Sequence, residues 1–66
     1  MDKRILLRDF SNSNASVTAQ DCRNDSTITS DYMLVIEDNN TAETYYSYYE
    51  DIHDCIYFYE AITSNF

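Results

Sequence analysis

The hydrophobic period of this chain changes once, at Asp51, and no other feature constrains its fold as tightly. Before Asp51 the apolar runs read as strands, with Ala15 to Gln20 alternating small apolar and polar residues at period two. Beyond it, Ile52, Cys55, Ile56, Tyr59, Ile62 and Phe66 fall within a sector of roughly 120° on a helical wheel, with Phe58 at one edge. His53, Tyr57 and Glu60 face elsewhere. Strands followed by one amphipathic helix predict an α+β domain: a small antiparallel sheet of three to four strands, with the C-terminal helix packed on one face.

The strands follow from the same pattern. Residues 3–10 read as a short strand, 11–14 as a loop of turn-forming residues, and Ala15 to Gln20 as the returning strand of a hairpin. After a polar loop over 21–26, the β-branched run Thr27 to Glu37 predicts a third strand. Asp38 to Thr41 forms a turn in which Asn supplies the left-handed conformation, since the chain contains no Gly and no Pro. Glu43 to Glu50 returns as the partner strand. Asp51 is placed to cap a helix over about 51–64, and Asp54 in its first turn complements the positive end of the dipole.

With 66 residues, the chain (1–66) is a single domain with a small core and an expected radius of gyration of about 11 Å. The first residues break at Arg8-Asp9 before an apolar segment of useful length forms, so no signal peptide is expected, and no run approaches a membrane span. Two cysteines, Cys22 and Cys55, make neither a disulfide framework nor a zinc site, and a reduced cytoplasmic setting is expected. Cys55 reads as a core residue on the helical stripe. Cys22, in a polar stretch, reads as exposed enough for an intermolecular disulfide.

Catalysis lacks its usual parts. The single histidine, His53, reads as a solvated first-turn residue, no nucleophile motif is present, and a phosphate-cradling loop cannot be built without Gly. The acidic pairs Glu37-Asp38 and Glu50-Asp51 lack the spacing of a calcium loop. Neither an enzyme nor a metal or cofactor site is expected.

Charge points to a binding surface instead. The chain carries twelve Asp and Glu against four Lys and Arg, a net charge of −8, which argues against direct contact with nucleic acid or anionic lipid. All four cations (Lys3, Arg4, Arg8, Arg23) lie in the first 23 residues, where three Asp leave about +1. From Asp25 onward nine carboxylates and no cation give −9: Asp25, Asp31, Glu37, Asp38, Glu43, Glu50, Asp51, Asp54 and Glu60. All seven tyrosines fall in this half, and the Tyr-Tyr pairs of one strand point to opposite sheet faces. A solvated surface normally mixes signs, so this segregation marks a candidate face for a basic partner. Rings on the uncovered face favour a homodimer or a bound partner.

Carboxylates held on strands can stand in for DNA phosphates. Residues two apart on a strand lie about 6.6 Å apart on one face, and a duplex carries one charge per ~3.4 Å on each strand. The run Thr29 to Asn40, followed by Glu43-Thr44-Tyr45-Tyr46-Ser47-Tyr48 and by Asp54-Cys55-Ile56-Tyr57-Phe58-Tyr59, resembles the phage uracil-DNA glycosylase inhibitors. It is similar to both the Ugi type and the smaller dimeric type of Bacillus phages.

That resemblance implies a phage-encoded DNA mimic, working in the host cytoplasm and blocking the DNA cleft of uracil-DNA glycosylase. In it Asp25, Asp31, Glu37, Asp38, Glu43, Glu50, Asp51 and Asp54 replace phosphates. Met33, Ile52, Cys55, Ile56, Phe58 and Tyr59 form an apolar pocket for the leucine that the enzyme inserts into DNA. The aromatic of the smaller type falls on Cys55, and the acidic-Ser-Ile motif of the Ugi type meets an inserted Thr27 in Asp25-Ser26-Thr27-Ile28. Other readings of the same charge are an anti-CRISPR or anti-restriction mimic, or an acidic antitoxin or adaptor that binds a basic protein.

Overall fold

The computed structural model describes residues 3–66. Four strands, β1 (Ile5–Ser11), β2 (Ala15–Asp21), β3 (Tyr32–Asp38) and β4 (Glu43–Tyr49), precede one helix, α1 (Ile52–Thr63). The sheet is antiparallel throughout, with strands in the order β1-β2-β3-β4, so every strand lies beside its neighbour in sequence. The α+β architecture expected from the change of period is present, and the radius of gyration is 11.7 Å.

Helix α1 crosses β2, β3 and β4 on one face. Residues opposite one another in an antiparallel pair share a face, so the register assigns both faces completely. Ala19 pairs with Leu34, and Leu34 with Ser47. Leu34 and Ala19, both fully buried, pack with Tyr32 and Cys55, and Leu7, Tyr49, Ile56, Tyr59 and Ile62 close the edges of this core. Small side chains at Ala15, Val17 and Ala19 leave room for the helix to approach β2 closely.

The open face carries Leu6 and Asp9 of β1, Thr18 of β2, Val35 and Glu37 of β3, and Tyr46 and Tyr48 of β4. Tyr45 and Tyr49 lie on the helix side, so each Tyr-Tyr pair is divided between the faces.

The helix boundaries follow the sequence. Asp51, in an extended conformation, accepts a hydrogen bond from the backbone N–H of His53 at 2.8 Å, and Ser64 closes the far end. Past the helix, Phe66 lies against Phe10 with ring centroids 6.5 Å apart.

Three local expectations are corrected. Residues 27–31 are turn and bend, and the third strand begins at Tyr32. The carboxylate of Asp25 accepts hydrogen bonds from the backbone N–H (3.0 Å) and the hydroxyl (2.5 Å) of Thr27, and the N–H of Ile28 donates to the Asp25 carbonyl. A local Asx turn thus captures a β-branched run that otherwise reads as strand.

The second correction concerns the β3–β4 turn, where Ala42, not an Asn, takes the left-handed conformation, at φ 61°. The Asp38 carboxylate accepts from the N–H groups of Asn40 and Thr41, and the Ala42 N–H donates to the Asp38 carbonyl, so the reversal falls one residue later than expected. Third, Cys22 is buried, 1% exposed, because residues 22–31 fold back with its N–H donating to the Asp31 carbonyl at 2.7 Å.

Two predictions follow from these positions. Ala42→Gly removes the left-handed penalty of a Cβ and should raise the unfolding free energy by about 0.5–1 kcal/mol in urea denaturation. Burial pushes the thiols of Cys22 and Cys55 up from their ordinary value, with Cys22 adding to the rise at Cys55. Both should therefore stay unreactive toward an aromatic disulfide reagent at pH 8 and become reactive together on unfolding. Rapid labelling of Cys22 in the native protein would contradict the fold of residues 22–31.

Candidate interaction surface

The carboxylates divide by whether a cation neutralises them. Asp21 is 6% exposed and accepts three bonds from the Arg23 guanidinium, the shortest 2.7 Å from Nη2, and one from the Arg23 N–H. Those bonds hold its carboxyl below the usual range, while Arg23 also lies over the Tyr32 ring, 5.6 Å from its centroid. Asp25 pairs with Arg4 at 3.5 Å and is lowered chiefly by its bonds from Thr27. Asp31 is half-buried, and its charge acts on Arg23. Asp25 is therefore neutralised within the 22–31 loop, while Asp31 serves that loop through its backbone carbonyl and forms no ion pair among the described residues.

The remaining expected acids form two groups. Glu37, Asp38 and Glu43 lie at the β3–β4 turn, where Glu37 is on the open face and Asp38 and Glu43 are paired on the helix side. Glu43 raises the Tyr45 phenol through its charge and a hydrogen bond. At the opposite end of β4 stand Glu50, Asp51 and Asp54, all exposed. Seven residues of β4 span about 20 Å between the groups. Among the described residues neither group contains a Lys or Arg ion pair, and the one partner of Asp51 is His53, at 3.2 Å.

The expected apolar pocket is divided. Met33 is buried on the sheet face opposite the helix, across from Tyr48, because it alternates with Leu34, which packs under α1. Cys55 is fully buried in the core. Neither is available to a partner. Tyr59 is half-buried and belongs to the same core, while Phe58 points to β4 and stacks on Tyr49 at 5.5 Å.

Ile52 and Ile56 do line an open groove, of about 420 Å³, together with Arg8, His53, Tyr57 and Glu60. Tyr57, 67% exposed, and Arg8 were not expected there. Tyr57 lies off the apolar stripe, and Arg8 comes from β1, more than forty residues away in sequence. Only the assembled sheet brings Arg8 beside the helix.

Among the described residues no three His, Cys, Asp or Glu side chains are grouped to hold a metal, and no helix is long and apolar enough to cross a membrane. No protein-family model matches the chain, and neither the curated proteins nor the solved structures searched include a match.

The pH dependence of folding tests the Asp21–Arg23 pair. A carboxyl lowered in the folded state adds stability above its unfolded value, about 3.9, and loses it as pH falls through the folded value. Denaturation midpoints should fall below pH 4, and Asp21→Asn should lower stability at pH 7 while flattening that acid dependence. An unchanged acid slope in the variant would remove this pair from the account.

Proposed function

We propose that this protein is a DNA mimic that occupies the nucleic-acid cleft of a basic DNA-binding enzyme, acting in a host cytoplasm, with uracil-DNA glycosylase as the target. One observation carries the reading: exposed, un-neutralised carboxylates at both ends of β4 lie on the same small domain as an apolar groove bounded by Ile52, Ile56 and Tyr57. A stretch of about 20 Å corresponds to roughly six phosphates along one DNA strand. Charge of that extent steers a cationic cleft toward the protein, and the groove adds apolar contact that DNA does not offer.

The groove favours the glycosylase over other acidic mimics, because a general phosphate mimic needs the charge row alone. A leucine side chain inserted between Ile52, Ile56 and Tyr57 would be held as the sequence resemblance implies. In this reading the lining of the groove differs from the set that the resemblance implies. Ile52 and Ile56 remain, Tyr57 joins them, and Met33, Cys55, Phe58 and Tyr59 support the fold.

A uracil-excision assay with a bacterial glycosylase and equimolar protein tests the proposal. Inhibition with a 1:1 or 2:1 complex on size exclusion is expected; undiminished excision sinks the glycosylase reading. Glu37→Lys with Asp38→Lys should slow association and weaken its dependence on salt. Ile56→Ala and Tyr57→Ala should each speed dissociation about tenfold, ~1.4 kcal/mol, while Phe58→Ala leaves dissociation near that of the unaltered protein.

A further inference from the structure

The sheet ends in two edges, and they are built differently. Edge strand β1 is interrupted by an irregularity between Leu6 and Arg8 and carries Arg8 and Asp9 within its length. A bulge and internal charges are the usual guards against a further strand adding to an edge. Edge strand β4 has neither. Its seven residues pair with β3 in unbroken register from Tyr49 opposite Tyr32 to Glu43 opposite Asp38. Between Glu43 and Glu50 it carries no charge and no Pro, only Thr44, Tyr45, Tyr46, Ser47, Tyr48 and Tyr49. Tyr45, Tyr46 and Tyr48 are about half exposed, and among the described residues no backbone group of 44–49 bonds to anything outside β3.

An open edge of this length is a template for one more strand, and charge selects which. A second copy of the chain is disfavoured in either direction. Antiparallel pairing of β4 with its own copy, centred on Tyr46 or Ser47, brings Glu43 of each chain to the Glu50-Asp51 end of the other. Parallel in-register pairing sets Glu43 against Glu43 and Glu50 against Glu50. Like charges across a pair destabilise it. The same two acids attract a strand with cations at its ends. We propose that the outer edge of β4 adds an extended basic segment of a partner protein as a fifth antiparallel strand, its cations lying against Glu43 and Glu50 and its intervening side chains against the tyrosines.

Main-chain hydrogen bonds would give affinity and the spacing of cations would give selectivity. Glu43 and Glu50 are seven residues apart, so the complementary segment has Lys or Arg about seven residues apart, separated by uncharged residues of strand propensity. This inference stands on the backbone edge and does not depend on the target being a glycosylase.

The test uses a nine-residue peptide alternating Val and Thr, with Lys at positions 1 and 8, N-methylated at every second residue in one phase or the other. In a strand, alternate N–H groups point to opposite sides, so one phase blocks bonding to β4 and the other leaves it free while preventing the peptide from pairing with itself. Titration into isotopically labelled protein should move amide signals of residues 43–50 for one phase, with the other binding at least tenfold more weakly. Replacing both Lys by Glu, or Glu43→Lys with Glu50→Lys in the protein, should abolish binding. Equal binding by both phases means attraction by charge alone and overturns the proposal, as does the absence of binding by either. A concentration-dependent dimer whose interface signals map to β4 overturns the choice of occupant.

Discussion

The close approach of α1 to the small side chains of β2 decides how the rest of this surface is distributed. Ala15, Val17 and Ala19 are each at most 1% exposed, and the Cys55 thiol packs beside Leu34 where a larger side chain would force the helix outward. A helix held over β2, β3 and β4 leaves β1 uncovered on that side, and this is why a groove opens between Arg8 and the Ile52-Ile56 row. It also leaves the opposite face without a helix, although Met33 is buried there. In a domain of this size one helix cannot cover both faces, so Tyr46, Tyr48 and Leu6 stand in solvent.

Electrostatics then sorts the surface into two regions. The cations near the N-terminus serve residues 21–25, where Arg23 binds Asp21 and Arg4 pairs with Asp25. No Lys or Arg ion pair forms at the β3–β4 turn or the start of α1 among the described residues, although Arg8 lies across the groove from Ile52 and Ile56. The cost of leaving those carboxylates unpaired is moderated by local donors: Asp38 accepts from the turn N–H groups and Asp51 from the helix N-terminus. Asp38 and Asp51 therefore have a structural use as well as a charge. Among the described residues Glu37, Glu43, Glu50 and Asp54 form no ion pair with a Lys, Arg or His, and they account for most of the field a partner would meet.

Much of this was legible in the sequence because it depends on neighbours in the chain. The change of period at Asp51, the alternation of β2, and the capping carboxylate need only local spacing, and a meander of hairpins keeps successive strands adjacent. What depended on competing local bonds was not legible. Thr27-Ile28-Thr29 has the composition of a strand, yet the Asp25 carboxylate draws it into a turn. Cys22 looked exposed because its sequence neighbours are polar, and folding of 22–31 buries it. Met33 could have been separated from the helix residues by parity alone, since Leu34 next to it is the better core residue. Arg8 and Tyr57 could not, because they lie on elements more than forty residues apart and line one groove only in the assembled fold.

The tyrosine strand shows how charge position can replace the usual devices of edge protection. Lysine within a strand, a bulge or a proline closes an edge to every partner alike. Acids placed at the two ends of an uncharged edge act selectively, because the penalty depends on what the incoming strand carries at the same spacing. A copy of β4 brings acids and is repelled; a strand with terminal cations is drawn in. Tyrosine suits the interval between, since each ring offers apolar area while its hydroxyl keeps the unoccupied edge wetted. Such an edge stays open in the free protein without inviting self-association, provided the flanking carboxylates remain ionised and unpaired. The confinement of every Lys and Arg to the first 23 residues maintains that condition.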